Sequence, residues 1–229
     1  MAFKYALFDF DGTVVNSIPC IIKSVRETFE HFGFPEPPEC EIRRYIGVPL
    51  KKYFPYLAQE HYEKHDPEAV MSFYRNLYKE YSPTHVTLYE GMHQVLEDLR
   101  EQGIKTGIVS SKETAPIEEN CRQLGILGLF DGIVGVNQVR LCKPLPETVF
   151  LCAQKIGVED IREALVLGDS PKDIEMGRRA GAPTCAVPWG AGTVEELKEQ
   201  SPDYFAETVD EMHNIILQRE VTLKTVNAS

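Results

Sequence analysis

The stretch Lys4-Tyr-Ala-Leu-Phe-Asp-Phe-Asp-Gly-Thr13 decides the fold class of this chain. Its apolar residues from Tyr5 to Phe8 are continuous rather than alternating, which is typical of a strand buried on both faces of a parallel sheet. The run ends in two carboxylates, Asp9 and Asp11. Ligands of open α/β sheets bind beyond the carboxyl ends of the strands, so the sequence predicts that both carboxylates lie where a binding site is expected.

The two carboxylates at the end of this run admit two interpretations. Asp9 and Asp11 repel each other, and a hard cation such as Mg²⁺ would relieve the repulsion and leave one oxygen free for chemistry. Gly12 would let the chain turn sharply just after them. The same residues also fit an ordinary turn at a strand end, where Asp and Gly are common. This segment alone leaves both interpretations open.

The composition of the chain excludes several classes of protein. Its formal net charge of −11 argues against the backbone of a nucleic acid as a partner. No apolar run approaches the roughly 20 residues of a membrane span, and the chain starts without the pattern of a secretion signal. The six cysteines are scattered, so we expect free thiols in a cytoplasmic protein that binds neither nucleic acid nor membrane.

The segment 16–84 shows helical periodicity and no convincing strand. Ile18, Ile21 and Val25 recur at helical spacing, and Gly33 is a stop signal. We expect the aromatic residues further along to form the core of this helical insertion. The helices predicted here span 17–32, 39–45, 51–58 and 67–81.

From Leu88 onward strands alternate with helices, which implies a parallel sheet with right-handed crossovers. Lys143-Pro144 is expected to open a helix that runs to Lys155. The strands predicted after the insertion span 105–109, 132–136, 163–167, 184–187 and, at an edge, 203–206. The predicted division is a core of 1–15 and 85–220, the insertion 16–84, and a polar tail 221–229 that is expected to be partly disordered.

Polar side chains follow several of the predicted strands. Taken singly, Ser110 could start a helix, Lys143 could be a solvated charge, and Asp173 could be a partner of a helix dipole. A parallel sheet, however, delivers the ends of its strands to one edge. The residues expected to meet there are Asp9, Asp11, Ser110, Lys143, Asp169 and Asp173.

This set of groups suits phosphoryl transfer through a covalent aspartyl phosphate. A carboxylate is a competent nucleophile toward phosphorus, and a metal ion neutralises the phosphoryl oxygens. A hydroxyl and an ammonium can bind the charge that develops in the transition state. A second carboxylate can protonate the leaving group and then deprotonate the attacking water.

Four motifs carry a resemblance to a known family. Asp9-Phe-Asp-Gly-Thr13, Ser110, Lys143-Pro144 and Gly168-Asp-Ser-Pro-Lys-Asp173 resemble, in this order, the motifs of the haloacid dehalogenase superfamily. The second Asp of the first motif resembles the phosphatases of that superfamily, because the dehalogenases lack it. Within the superfamily the chain is most similar to phosphoglycolate-phosphatase-like hydrolases, which include pyrophosphatase relatives.

The resemblance implies a fold. It is an α/β fold with a Rossmann-like parallel sheet core and helices on both faces, and the insertion 16–84 resembles the mobile cap of the family, a helical bundle inserted after the first strand.

The resemblance also implies catalytic roles. Asp9 would be the nucleophile and a metal ligand, and Asp11 the general acid and base, with its backbone carbonyl on the metal. Ser110 would bind a phosphoryl oxygen, and Lys143 would order the nucleophile and the phosphoryl group.

The remaining implied roles concern the metal and the substrate. Asp169 and Asp173 would complete a Mg²⁺ site, and Ser111, Arg44 and Gly47 would help to bind substrate. Many relatives have Thr-Asn-Lys where this chain has Ser-Ser-Lys at 110–112, so the hydroxyl is kept at 110 and the Asn side chain is absent. Basic residues of the insertion, including Arg44, could equally belong to a solvated helix face.

The function implied is that of a Mg²⁺-dependent phosphatase for a small phosphorylated metabolite, a phosphoglycolate-like monoester or pyrophosphate, acting as a monomer or homodimer. The alternative is a sugar phosphomutase resembling β-phosphoglucomutase, but those enzymes usually carry Ser-Arg where this chain has Pro49-Leu50. A phosphate-accepting switch is disfavoured by the large insertion. A catalytically silent, phosphate-responsive binding protein stays open.

Overall fold

The computed structural model describes residues 2–218, so the predicted tail 221–229 lies outside the described residues. Six strands form one parallel sheet in the order β5-β4-β1-β6-β7-β8, and two short strands pair separately as an antiparallel ribbon. The strands are β1 (Tyr5–Phe8), β2 (Val15–Asn16), β3 (Thr87–Leu88), β4 (Lys105–Val109), β5 (Gly132–Val134), β6 (Ala164–Gly168), β7 (Thr184–Ala186) and β8 (Tyr204–Phe205).

Strand β1 lies at the centre of the sheet. Its residue Tyr5 is in register with Lys105 on one side and with Ala164 on the other. Ala6 and Phe8 pack into one hydrophobic cluster, whereas Tyr5 and Leu7 pack into the cluster on the opposite face. Because both faces are buried, the strand has no solvent side, and this confirms the prediction from its continuous apolar run.

Helices cover both faces of the sheet. The helices are α1 (Ile18–Phe32), α2 (Glu39–Arg44), α3 (Leu50–Ala58), α4 (Pro67–His85), α5 (Met92–Glu101), α6 (Thr114–Gln123), α7 (Glu147–Ile156), α8 (Pro171–Ala180), α9 (Val194–Glu199) and α10 (Val209–Leu217). The hydrophobic cluster on one face of the sheet contains apolar residues of α5, α6 and α10, and the cluster on the other face contains those of α7 and α8. The α/β fold predicted from the sequence is therefore confirmed.

Helices α1 to α4 form the insertion and share an aromatic core. The fully buried ring of Phe54 lies 5.8 Å from that of Phe29 and 5.2 Å from that of Tyr74. Helix α4 continues to His85, four residues beyond the predicted end, although it contains Pro83. The aromatic residues thus pack as the core of the insertion, as their composition indicated.

The ribbon of β2 and β3 joins the insertion to the sheet, and the sequence did not reveal it. Val15 pairs with Leu88 and Asn16 with Thr87, so the segments that leave and re-enter the core lie side by side. Strands of two residues are too short to show an alternating pattern. The Tyr89 hydroxyl donates to the carbonyl of Trp189 at 3.1 Å, which ties this junction to the core.

The predicted start of helix α7 was wrong. Helix α7 begins at Glu147, and Lys143 lies in the loop before it rather than in the helix. Pro144 and Pro146 have no backbone N–H to donate to a helix. The Glu147 carboxylate accepts a hydrogen bond from the backbone N–H of Arg140 at 3.1 Å, which folds the preceding loop back onto the start of the helix. Residues 143–146 therefore form a loop, in which Lys143 is buried.

The six cysteines are all free, and four of them are buried. Within residues 2–218, no helix combines the length and the apolar character needed to cross a lipid bilayer.

Candidate active site

Three neighbouring strands deliver polar residues to one edge of the sheet. Asp9 follows β1, Ser110 follows β4 and Asp169 follows β6, and each is at most 4% exposed. The backbone N–H of Asp9 donates to the carbonyl of Leu167 at 2.8 Å, which continues the ladder past the end of β1. The parallel pairing therefore fixes the relative positions of these side chains.

Lys143 lies at the centre of this edge. Its buried Nζ donates to Asp9 Oδ1 at 2.5 Å and to Asp173 Oδ1 at 2.6 Å. The other oxygen of Asp173 accepts from the Ser170 hydroxyl at 2.6 Å and from the Ser170 N–H at 3.1 Å, which forms the capping box of α8. The cap of a helix thus holds Asp173 in the orientation that Lys143 needs.

Asp169 is held by two donors of its own. Its Oδ1 accepts from the Thr13 hydroxyl at 2.9 Å, and its Oδ2 accepts from the backbone N–H of Ala191 at 2.7 Å. Gly12 lies against the same carboxylate with φ of +93°, and a Cβ built on it would lie 2.8 Å from Cγ of Asp169. The Asp-Gly-Thr sequence is therefore required both for the turn and for the close approach of Asp169.

The three buried carboxylates fit a divalent metal ion. Asp9, Asp169 and Asp173 each offer a carboxylate oxygen, and these atoms lie within 4.8 Å of one another. With Lys143 as the one ammonium among them, the ionised cluster carries two negative charges in excess. Carboxylate oxygens are the ligands that Mg²⁺ prefers, and its two positive charges would neutralise that excess.

Burial and mutual repulsion disturb the protonation of this cluster. Burial, followed by the charge of Asp173, raises the pKa of Asp169 to about 7. Burial also raises the pKa of Asp9 well above its usual range, although Lys143 opposes this effect. Burial disfavours the charge of Lys143, but Asp173 and Asp9 outweigh it and raise the pKa of the ammonium. The single ammonium of Lys143 therefore does not offset the burial and mutual repulsion that raise the pKa values of Asp9 and Asp169.

Asp11 lies outside this cluster, at the boundary between the core and the insertion. Its Oδ1 accepts from the Ser17 hydroxyl at 2.6 Å and from Lys112 Nζ at 2.8 Å. Its carboxylate is therefore not among the oxygens that meet around Lys143. Ser17 was not predicted as a partner of Asp11, and the signal that could have identified it was its position at the N-cap of α1, six residues after Asp11.

The loop after β4 presents two hydroxyl groups. The Ser110 Oγ accepts from the backbone N–H of Lys112 at 3.2 Å. The Oγ of Ser111 is buried and has no hydrogen-bond partner among the described residues. An unpaired buried hydroxyl costs free energy, so it is a candidate to bind an oxygen of a ligand.

A cavity of about 660 Å³ separates the sheet edge from the insertion. Of the predicted substrate-binding residues, Ser110, Ser111 and Gly47 line it. Arg44 is exposed and is not among the lining residues. Lysines that line the cavity and form no salt bridge with a described carboxylate are Lys51, Lys52 and Lys79.

The arrangement places a buried carboxylate, a hydroxyl and a separate carboxylate around one cavity, with an ammonium behind the first carboxylate. Asp9, Asp11 and Ser110 all line it, and Lys143 lies behind Asp9. Such a set can accept a phosphoryl group at Asp9 while Asp11 exchanges a proton at a distance from the charged cluster.

Comparisons with known proteins give matches over most of the chain. The profile of the haloacid dehalogenase-like hydrolase family matches residues 6–187. A Clostridium perfringens protein provisionally named pyrophosphatase PpaX is 33% identical over 213 residues, which are 93% of this chain and 97% of that protein. Pyrophosphatase PpaX of Bacillus velezensis is 30% identical over 91% of this chain and 94% of its own length.

A solved structure is similar over nearly the whole chain. The crystal structure of a predicted phosphatase from Clostridium acetobutylicum superposes with a TM-score of 0.81 at 26% identity, covering 95% of this chain and all of that one. The similarity therefore extends through both the sheet and the helical insertion.

Proposed function

The chain belongs to the haloacid dehalogenase-like hydrolase family and is a phosphatase, and from that premise we propose that it hydrolyses a small phosphorylated compound through a phosphoryl group carried on Asp9. The observation that carries this proposal is the buried cluster in which Lys143 Nζ joins Asp9 and Asp173. An isolated buried carboxylate would be protonated, whereas one held beside an ammonium and a metal ion can attack phosphorus.

The proposed reaction has two displacement steps. A carboxylate oxygen of Asp9 forms a bond to phosphorus, and the bond from phosphorus to the leaving oxygen breaks. Asp11 gives its proton to that leaving oxygen. A water then attacks the phosphorus of the aspartyl phosphate, Asp11 takes the proton of the water, and the carboxylate of Asp9 is released with inorganic phosphate.

The other residues of the site would bind and orient the phosphoryl group. Ser110 would donate its hydroxyl to one phosphoryl oxygen, and Lys143 would hold both the nucleophile and a second oxygen. Asp9, Asp169 and Asp173 would hold Mg²⁺. When bound, that ion supplies positive charge that balances the phosphoryl oxygens and the nucleophile.

We propose pyrophosphate as the first substrate to test and a phosphoglycolate-like monoester as the second. Relatives that match over more than nine-tenths of this chain are named pyrophosphatases. Lys51, Lys52 and Lys79 line the cavity and could bind a second anionic group. Pro49 and Leu50 also line it, and they offer no cation at the position where the phosphomutases resembling β-phosphoglucomutase carry an Arg.

The domain division of a core, 1–15 with 85–220, and a cap, 16–84, is part of the same proposal. The cap would cover the cavity during the reaction and keep bulk water from the phosphoryl group.

The test measures phosphate release from pyrophosphate and from a panel of phosphomonoesters, with Mg²⁺ and with a chelator. We expect metal-dependent release and its loss in Asp9→Asn, because an amide cannot serve as the nucleophile. Asp210→Asn is the matched control, since Asp210 is exposed on α10. Normal turnover by Asp9→Asn would refute the assignment of the nucleophile, and equal release with the chelator would refute the metal.

A further inference from the structure

Lys112 connects the acid/base carboxylate to the cap. Its Nζ donates to Asp11 Oδ1 at 2.8 Å and to the hydroxyl of Tyr78 at 2.6 Å. Tyr78 belongs to α4 in the cap, and its hydroxyl donates in turn to Asn120 Oδ1 at 3.0 Å on α6 in the core. Three hydrogen bonds in series therefore run from the core, through the cap, and back to the core.

The ammonium of Lys112 is shielded from solvent and lies close to two aromatic rings. The side chains of Lys112 and Asp11 are only 14% and 12% exposed, so water competes weakly for their contact. Lys112 Nζ also lies 4.1 Å from the centroid of the Tyr78 ring and 5.6 Å from that of Phe10, where an ammonium is attracted by the aromatic faces. Burial raises the pKa of Tyr78 well above its usual range, so its hydroxyl keeps the proton that it donates to Asn120.

We propose that Lys112 is a positioning residue that ties the orientation of the Asp11 carboxylate to the placement of cap helix α4. This inference rests on the proposed function, in which Asp11 exchanges protons with the leaving group and with water. It assigns Lys112 no contact with the reacting atoms.

The physical basis is the rotation of the Asp11 carboxylate. The Ser17 hydroxyl and Lys112 Nζ both donate to the same oxygen of Asp11, Oδ1. Among residues 2–218, Oδ2 has no hydrogen bond, and Asp11 lines the cavity, so Oδ2 is the oxygen left to exchange a proton. A hydrogen bond of 2.6 Å is lost when its partners separate by about 1 Å, so Lys112 can hold Asp11 and Tyr78 together only at this placement of α4.

Lys112 also contacts the phosphate-binding hydroxyl. Its backbone N–H donates to Ser110 Oγ at 3.2 Å. One residue thus contacts the acid/base carboxylate, the proposed phosphate-binding hydroxyl and the cap. A displacement of α4 would therefore disturb Asp11 through Lys112 while Asp9 and Lys143 keep their own contacts.

The test compares substrates that differ in their need for a proton. Departure of an alkoxide requires protonation by Asp11, whereas departure of p-nitrophenolate does not. Lys112→Met keeps the apolar stem and removes the ammonium. We expect it to lower kcat/KM for an alkyl phosphate by roughly 30-fold or more and for p-nitrophenyl phosphate by about 3-fold or less, since general acid catalysis contributes about 100-fold or more.

Tyr78→Phe keeps the buried ring and removes only the hydroxyl, so it carries the test if Lys112→Met does not fold. We expect a loss in the same direction, about 3-fold to 10-fold, confined to the alkyl phosphate. Tyr81→Phe is the matched control on the same helix, because its hydroxyl donates to Glu27 within the cap at 2.5 Å. Lys155→Met is the control for the lysine, since Lys155 donates to the carbonyl of Ile133 and to the side chain of Gln138, both of which lie in the core.

The outcomes separate this inference from the proposed function. The deciding quantity is the ratio of kcat/KM for the alkyl phosphate to kcat/KM for p-nitrophenyl phosphate. If Asp11→Asn changes this ratio and both Lys112→Met and Tyr78→Phe leave it unchanged, the positioning role is wrong and the proposed function stands. Equal losses on both substrates in a folded Tyr78→Phe would also overturn it. If Asp11→Asn itself leaves the ratio unchanged, the proposed function fails in its acid/base step.

Discussion

The two carboxylates of the first motif, Asp9 and Asp11, are separated by a single residue but lie in different surroundings. Asp9 is 4% exposed and belongs to a cluster built entirely from core segments. Asp11 lies at the boundary, held by Ser17 at the start of cap helix α1 and by Lys112, which also reaches α4. Asp9 is thus held by contacts within the core, whereas the orientation of Asp11 also depends on residues at the boundary with the insertion.

Removal of the ammonium from the core cluster is the strongest way to sharpen this contrast. Lys143→Met leaves three buried carboxylates without a cation, so we expect a loss of about 3 kcal/mol or more in the unfolding free energy of the metal-free protein, together with loss of activity. Urea denaturation with and without Mg²⁺ measures the effect, and Mg²⁺ should restore part of the stability.

Lys112→Met is the boundary counterpart of that variant. Its loss of stability should be smaller, because Asp11 keeps the Ser17 hydroxyl as a donor. Equal losses in the two variants would break the contrast between core and boundary.

Gly12→Ala tests how tightly the core cluster is packed. Gly12 has φ of +93° and its added Cβ would meet the Asp169 carboxylate, so we expect a loss of about 2–4 kcal/mol. Gly33→Ala is the matched control in the cap, because Gly33 has φ of +66° and nothing within 4 Å of the added atom. It should show only the backbone cost of about 1–2 kcal/mol. Equal values in thermal or urea unfolding would mean that Asp169 moves aside without cost.

The protonation of the cluster gives a prediction for pH. Burial and Asp173 raise the pKa of Asp169 to about 7, so between about pH 4 and 7 the folded metal-free protein holds a proton that the unfolded chain has lost. Its unfolding free energy should therefore fall as the pH rises through this window, by up to about 1.4 kcal/mol per pH unit.

Stabilisation by Mg²⁺ should grow across the same window, because the ion replaces that proton. Urea denaturation from pH 4.5 to 7.5 with and without Mg²⁺ measures both trends. Asp169→Asn should reduce the dependence of the unfolding free energy on pH, and Asp210→Asn should leave it unchanged. A metal-free protein that becomes more stable toward pH 7 through Asp169 would contradict the predicted sign.

Ser111→Ala should give the smallest effect. Its buried Oγ has no partner among the described residues, so its removal should raise the unfolding free energy by about 0.5–1 kcal/mol. If that hydroxyl binds substrate, kcat/KM should fall by about 3-fold to 10-fold. A gain in stability without any loss in kcat/KM would show that the hydroxyl contributes nothing to binding. Ser24→Ala is a useful comparison, because that hydroxyl is bonded within α1.

The core could be predicted from the sequence because its signals are local. The continuous run of β1 and the polar residues directly after β1, β4 and β6 each appear within a few consecutive residues. Sheet topology then brings Asp9, Ser110 and Asp169 together without further information. The loop that contains Lys143 was wrongly predicted as helix. The backbone N–H of Arg140 donates to the Glu147 carboxylate, seven residues later, and no sequence pattern indicates this hydrogen bond.

The boundary could not be predicted, because its contacts join distant residues of unremarkable type. Lys112 was seen only as the last residue of a motif, and its bond to Tyr78 spans 34 residues. Tyr78 was counted among the aromatic residues of the insertion, and no pattern marked its hydroxyl. Arg44 was predicted to bind substrate; it is exposed and is not among the residues that line the cavity.

The ribbon of β2 and β3 has a consequence for how this architecture can diversify. Because Val15 pairs with Leu88, the two ends of the insertion meet at a single junction, about 5 Å apart as in any antiparallel pair. A helical segment of another length whose ends meet at that spacing would leave the pairing of the parallel strands unchanged. The chain connections of the insertion are therefore confined to one place, whereas the contacts that tie it to the core, such as those of Tyr78 with Lys112 and Asn120, lie elsewhere.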